Sequence, residues 1–327
     1  MSAPPAIDLV CCFVDGADPA HRARRQIAWD AATAAGQTGL VNAAGQFEQV
    51  GELTFGVRSV LHYMPWVRHV IVVTDDQTPP IDAALMASGR VRIVQHHEFI
   101  PPRYRPVFSG AIIESFLHRI AGLSDIWLYN NDDFLIGEPL AVADFVSASG
   151  QLVERCYPAL FRQVLRRALK FGLAPGGYRN PYTYGIANAL ELLQRQMDFR
   201  ASAVRTPRHF TQVYRRSTGY FIDEHLGDAL EGVRARHFRN FSQVSFGTLM
   251  ASLELVRHGT VRPSAARRRT SRFFDVADAR TPKARERLWQ AVAESRASFL
   301  CINNIPLSDR TQFERAMAAR GLGERSS

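Results

Sequence analysis

A chain of 327 residues, 46% of them hydrophobic, holds enough apolar material for a substantial core, in one large domain or two modest ones, which excludes a disordered polymer. Its 40 Lys+Arg against 31 Asp+Glu are unevenly spread: residues 1–150 carry 10 basic against 16 acidic groups, residues 151–327 carry 30 against 15. An acidic half suits cation binding, and a basic half suits phosphate, a polyanionic substrate or an anionic membrane surface. Nucleic acid is not expected, because the clusters Arg166–Arg167 and Arg267–Arg269 lack aromatic interleaving and no nucleic-acid motif appears. The opening MSAPPAIDLV has no basic, apolar leader pattern and no apolar run reaches membrane-spanning length, so cytoplasmic residence is expected, with peripheral contact at the inner membrane face left open. Cys11, Cys12, Cys156 and Cys301 show no CxxC spacing, which argues against a zinc site or a disulfide framework and reads as reduced, small core residues.

Ile7–Val14 is a nearly unbroken apolar run, as a buried parallel strand would be, ending at Asp15-Gly16-Ala17-Asp18-Pro19. Asp18 followed by Pro19 marks a helix start, with a helix expected to about Ala35 and a polar loop over Gly36–Gln46. Asp15, by contrast, takes the strand-exit position where ligands bind in open α/β sheets. Leu53, Val57, Val60, Leu61 and Met64 recur at helical spacing before Pro65. Val70–Thr74 makes a second strand, ending in Asp75, Asp76 and Gln77, and Val91–Val94 makes a third, ending at His96-His97. A helix carrying Ile112, Ile113, Phe116, Leu117 and Ile120 on its buried side then leads into Ile126–Tyr129.

Strands alternate with helices, and polar residues stand at every strand exit. This predicts a Rossmann-like, mostly parallel sheet whose carboxyl edge gathers Asp15, Asp75, Asp76, Asp132 and Asp133. Neither GxGxxG after a strand nor GxxxxGK[ST] occurs, which disfavours a dehydrogenase or a P-loop NTPase. The sharpest feature is IWLYNNDDFLIG at Ile126–Gly137, where two adjacent carboxylates stand between two apolar segments. Burying both flanks holds Asp132 and Asp133 close together, and a divalent cation, Mg²⁺ or Mn²⁺, would relieve their repulsion and hold the phosphates of a nucleotide. A helix cap or an Asx turn would use the same residues differently.

Three stretches, IDLVCCFVDGADP, ELTFGVRSVLHYMPWVRHVIVVTDDQTP and the NDD at Asn131–Asp133, together resemble the first two regions of the Stealth proteins. That family comprises sugar-phosphate transferases, including bacterial capsular polysaccharide phosphotransferases and the animal N-acetylglucosamine-1-phosphotransferase. Weaker patches at Pro207–Asn240 and at Phe299–Asn304 resemble the third and fourth regions. Two departures stand out: Val107–Ala111 reads VFSGA where the family pattern is closer to TFNSxA, and Asn303-Asn304 replaces Asn-Asp.

The resemblance implies a glycosyltransferase-A-like α/β fold and transfer of a sugar-1-phosphate from a nucleotide-diphosphate sugar, typically uridine-linked, to a glycan hydroxyl. A phosphodiester forms and the nucleoside monophosphate leaves. On this reading Asp132 and Asp133 hold the metal, while Asp15, Gly16, Arg58, Asp75, Gln77 and Asn304 line the nucleotide and phosphate site. His209 takes the acceptor proton, and Arg239 stabilises charge on the transferred phosphoryl group. Glu114 and His118, one turn apart, either face the cleft or bond each other. The expected layout is a nucleotide- and metal-binding half over residues 1–150, a helical insertion over 151–205 and a basic remainder over 206–327. An Arg-rich loop is expected at Pro263–Arg272, a last strand at Phe299–Ile302 and a closing helix at Ser308–Arg320. The alternatives are a conventional glycosyltransferase releasing the nucleoside diphosphate, and a non-catalytic accessory protein on the same fold.

Overall fold

The computed structural model describes residues 6–41, 49–157, 159–263 and 270–323. The strands that matter here are β1 (Asp8–Cys12), β2 (Val70–Thr74), β3 (Val91–Gln95), β4 (Ile126–Asn130), β5 (Phe134–Ile136), β6 (Gln212–Arg215), β7 (Ser271–Asp275) and β8 (Phe299–Asn303). The helices that matter here are α1 (Pro19–Ala34), α2 (Glu52–Tyr63), α3 (Gly110–Glu114), α4 (Ala159–Lys170), α5 (Pro181–Met197), α6 (Arg216–Arg234), α7 (Phe246–His258), α8 (Pro282–Glu294) and α9 (Arg310–Ala319).

The central sheet runs β6-β4-β1-β2-β3, with β4, β1, β2 and β3 parallel and β6 antiparallel at the edge. The expected mostly parallel α/β sheet is therefore present. Its inner strands β1, β2 and β4 are almost wholly apolar because both faces are covered, whereas the edge strands β3 and β6 carry Arg92, Gln95, Gln212 and Arg215. Val10, Ile71, Val73, Trp127 and Tyr129 pack with Phe116, Ile222 and Leu249 on one side, while Leu9, Val70, Val72 and Leu128 pack with Leu53, Val57 and Val60 of α2 on the other. Successive side chains alternate between these two cores, as the two-residue strand period requires.

Sequence and structure part company at several elements. The stretch from Phe210 to Gly259 reads as continuing helix in sequence, but Gln212–Arg215 first adds the antiparallel edge strand, pairing Tyr214 with Trp127. β8 forms as expected but joins a second, three-stranded sheet, β7-β8-β5, rather than the central one. The long helix expected over residues 112–120 is broken: α3 stops at Glu114, and Leu117–Arg119 is a separate 3-10 turn. Asp18 caps α1 as expected, accepting from the Ala20 and His21 amides. Residues 42–46 of the loop expected over Gly36–Gln46, and the Arg267–Arg269 cluster, lie outside the described residues, and Leu40–Val41 of that loop is a short strand.

β5 is three residues long, yet it positions the functional centre. It leaves the acidic step after β4 and pairs with β8, setting Phe134 opposite Cys301 and Leu135 opposite Leu300. Gly137 ends it where a β-carbon would stand 2.0 Å from the Ala297 carbonyl oxygen, so no larger residue permits this approach. Among the described residues no helix is long and apolar enough to cross a membrane.

Candidate active site

The NDD step bridges two sheets. Tyr129, at the end of β4, brings its hydroxyl 2.9 Å from Asn131 Oδ1 and 3.0 Å from Glu114 Oε1. The Phe134 amide closes a tight turn by donating to the Asn131 carbonyl, and the Ile302 amide donates to the Asp133 carbonyl from β8. Both acidic side chains are thereby held at the floor of a cleft of about 770 Å³, a size suited to a small-molecule substrate.

Within the cleft the negative charge is poorly compensated. Asp132 receives one hydrogen bond from Gln49 Nε2. Asp133 Oδ2 accepts from the Cys301 thiol at 3.0 Å, and Asp133 Oδ1 is buried without a hydrogen-bond partner. Burial, then the neighbouring Asp132 charge, pushes the Asp133 carboxyl up to about 7. Burial likewise raises Asp132, and together with the Asp132 charge it lifts Glu52, the first residue of α2, to about 7. Three carboxyl groups so crowded resist ionising together, and a cation among them would relieve that crowding.

His209 stands across the cleft, with Nε2 3.9 Å from Asp133 Oδ2. Its ring is seated edge-on against Phe134, centroids 4.9 Å apart, with Tyr182 and Phe273 beyond. Its loop is rigid for local reasons: Gln212 Nε2 donates to the Arg208 and Phe210 carbonyls, and Phe210 stacks on Phe299. Burial lowers the His209 pKa, which keeps the imidazole neutral and able to accept a proton. Asp133, His209 and Cys301 present ligand atoms within 4.8 Å of one another.

Arg239 lines the opposite wall. Its short strand pairs with Leu40–Val41, and the adjoining Phe238 packs on Phe108, so its backbone is fixed from two sides. Glu114 faces it, and burial pushes that carboxyl up to about 7 against the opposing pull of the Tyr129 hydrogen bond and the Arg239 charge. Asn304 is at the rim in a left-handed conformation, φ +54°, with its amide nitrogen donating to both Asp275 carboxylate oxygens at 3.0 Å.

Asp132, Asp133, His209, Arg239 and Asn304 thus converge on one cleft. The other expected site residues stand elsewhere. Gln77 is buried, donating to the Asp15 carbonyl at 2.8 Å and accepting from the Asp15 amide at 3.0 Å, so it clamps the turn that contains Gly16. Asp75 is taken by Arg24, whose guanidinium reaches the side chain at 3.1 Å and the carbonyl at 2.7 Å. Arg58 faces away from the cleft, forked onto Asp82 with both contacts at 2.9 Å. The break after α3 also separates Glu114 from His118: Glu114 lines the cleft, whereas His118 is buried against Asp223 at 2.7 Å.

Sequence reasoning did not single out Cys301, Glu52 or Gln49 for the site. For Cys301 the signal was available only as its place in a strand core; the pairing of β5 with β8 turns it toward Asp133. Tyr182 also lines the cleft, from the segment whose role was not readable in sequence.

The fold and cleft define an α/β protein with a buried acidic centre at the carboxyl edge of a mostly parallel sheet. Residues 46–153 match the Stealth protein CR2 family, conserved region 2, and the curated relatives of the chain are capsular and exopolysaccharide phosphotransferases, the bacterial Stealth family. The capsular polysaccharide phosphotransferase cps1A of Actinobacillus pleuropneumoniae is 37% identical over 148 residues, 44% of this chain and 39% of that protein. The exopolysaccharide phosphotransferase SCO6023 of Streptomyces coelicolor is 32% identical over 311 residues, 94% of this chain and 49% of that protein. The chain therefore spans about half or less of the length of these two relatives. Among solved structures, galactosyltransferase LgtC in complex with donor and acceptor sugar analogs is similar over 98% of each chain, with 11% identity and a TM-score of 0.44.

Proposed function

We propose that this chain transfers a sugar-1-phosphate from a nucleotide-diphosphate sugar to a glycan hydroxyl, with a divalent cation in the acidic cleft. The observation that carries the reading is the convergence of Asp132, Asp133, His209 and Arg239 on one cleft, with Asp133 Oδ1 buried and lacking a hydrogen-bond partner. The relatives named as phosphotransferases supply the reaction class.

The donor set fits a cation. Asp132 and Asp133 offer hard carboxylate oxygens suited to Mg²⁺ or Mn²⁺, and the adjoining His209 and Cys301 favour the softer Mn²⁺ of the two. When bound, the ion neutralises charge on the donor diphosphate. The protein's own groups do the rest. The acceptor oxygen forms the new bond to the sugar-bearing phosphorus, the bond from that phosphorus to the nucleoside monophosphate breaks, and the monophosphate leaves with the bridging oxygen. His209, neutral through burial, takes the acceptor proton. The Arg239 guanidinium faces the phosphoryl oxygens, with the Glu114 carboxyl near enough to interact with its charge.

Phosphorus NMR with a panel of nucleotide sugars, Mg²⁺ and a mixed glycan pool tests the proposal. A new phosphodiester signal accompanied by nucleoside monophosphate, and lost in Asp133→Asn, is the expected result. Release of nucleoside diphosphate instead would move the chain to ordinary glycosyl transfer.

A further inference from the structure

The segment over residues 155–190 carries six basic residues, Arg155, Arg162, Arg166, Arg167, Lys170 and Arg179, and not one Asp or Glu. It also concentrates bare apolar surface. Of fifteen large hydrophobic side chains exposed among the described residues, eight fall between Tyr157 and Tyr182. Scattered exposed apolar residues are ordinary, whereas a cluster of this density marks an interaction surface.

The geometry of α4 explains the concentration. At 100° per residue, Leu160, Val164 and Phe171 fall on one stripe, flanked on one side by Arg167, Gln163 and Lys170 with Arg166 farther round, while Arg162 is buried on the far side. The helix is not loose. Leu165 and Leu169 pack with Ala174 against Tyr184 and Ala187 of α5, which anchors one edge of the apolar face. The rest stays bare: Leu160 is 71% exposed, Val164 59%, Phe171 69% and Leu173 76%.

The turn after α4 is built to display the last two. Gly172 adopts φ +67°, the Leu173 amide donates back to the Ala168 carbonyl at 2.7 Å, and Arg179 donates to the Ala174 carbonyl at 2.8 Å and to the Gly172 carbonyl. Phe171 and Leu173 therefore stand on a hydrogen-bonded knuckle. Arg162 stacks on Tyr157 and Phe161, its carbon at 4.7 Å from each ring, and holds these aromatics beside the stripe.

We infer that α4 and its knuckle form a docking surface for an anionic lipid bilayer. An apolar stripe of this width enters the acyl boundary, and the acid-free basic arc beside it meets anionic headgroups. Charge complementarity decides the occupant: a second copy of this surface would bring its own cations against these and be repelled. Tyr182, at the start of the helix on which α4 rests, lines the catalytic cleft, so docking sets the cleft one helix away from the bilayer surface. This inference stands independently of the reaction proposed above.

Vesicle flotation tests it, with phosphatidylcholine alone against phosphatidylcholine containing phosphatidylglycerol, at low and high salt. Wild type is expected to float with the anionic vesicles only, and less so in high salt. Leu160→Ser/Val164→Ser/Phe171→Ser, and separately Arg166→Glu/Arg167→Glu/Lys170→Glu, are each expected to weaken binding by about tenfold or more, with circular dichroism and melting temperature unchanged. Absence of binding to anionic vesicles at low salt overturns the inference, as does binding that survives in both variants. So does sedimentation showing a dimer that the serine variant abolishes while no vesicle binding is seen.

Discussion

Two acidic clusters stand on the carboxyl edge of the same sheet, and their fates differ. At the ends of β1 and β2, Asp15, Asp18 and Asp75 are each answered: the Ala17 amide donates to Asp15 Oδ1, Gln77 Nε2 donates to Asp18 Oδ2, and Arg24 pairs with Asp75. At the end of β4, Asp132 and Asp133 meet one amide, one thiol and another crowded carboxylate. The first cluster is a solved structural problem. The second is left without a close guanidinium or ammonium partner among the described residues, which suits a centre that takes up a cation.

The largest expected effect separates the two clusters outright. Asp133→Asn should reduce turnover by about a thousandfold or more and abolish the rise in melting temperature that Mn²⁺ gives the wild type, whereas Asp75→Asn should leave the Mn²⁺ response intact. A normal Mn²⁺ shift in Asp133→Asn would end the contrast. Next in size, His209→Ala should lower kcat by about 10² to 10⁴ with KM little changed, read from initial rates at saturating donor.

The pH dependence follows from the raised carboxyls. Glu52, Glu114 and Asp133 have ordinary values of 4.5, 4.5 and 3.8 and are each held near 7 in the folded protein. Between those limits the folded state binds more protons than the unfolded state, so metal-free stability should be greatest on the acid side and decline as pH rises toward 7. Cation affinity should run the opposite way, strengthening as these groups lose their protons. Melting curves from pH 4 to 8, with and without Mn²⁺, should therefore converge at low pH and separate near neutrality. Parallel curves across the range would mean that the carboxyls do not face the ion.

The smallest effects belong to the answered cluster and its neighbours. Gln77→Ala should cost about 1–2 kcal/mol in urea unfolding, because the Asp15 turn loses its clamp, with no change in Mn²⁺ affinity. Arg58→Ala should cost about 1 kcal/mol or less, since its pair with Asp82 is partly exposed. A large rise in donor KM from either variant would return that edge to the substrate site.

Much of the sheet could be read from residues alone because a strand buried on both faces has to be apolar along its length, as Val70–Thr74 is, and polar where it emerges. The acidic step could be found for the same reason: Asp132 and Asp133 interrupt an apolar run that must be buried around them. What escaped was everything set by pairing between distant segments. Val107–Ala111 lies beside Phe238 and Arg239 through a bridge between Phe108 and Phe238, and no local pattern announces that contact. Glu114 and His118 keep helical spacing in sequence, yet the chain breaks between them and sends one to the cleft and the other to Asp223.

Local chemistry, then, was enough to name the strands, the cap at Asp18 and the carboxylate pair, because periodicity and turn preference act over a few residues. Which carboxylates would find partners depended on side chains tens or hundreds of residues away. Arg24 reaches Asp75 across 51 positions and Cys301 reaches Asp133 across 168, and only folding brings them within bonding distance.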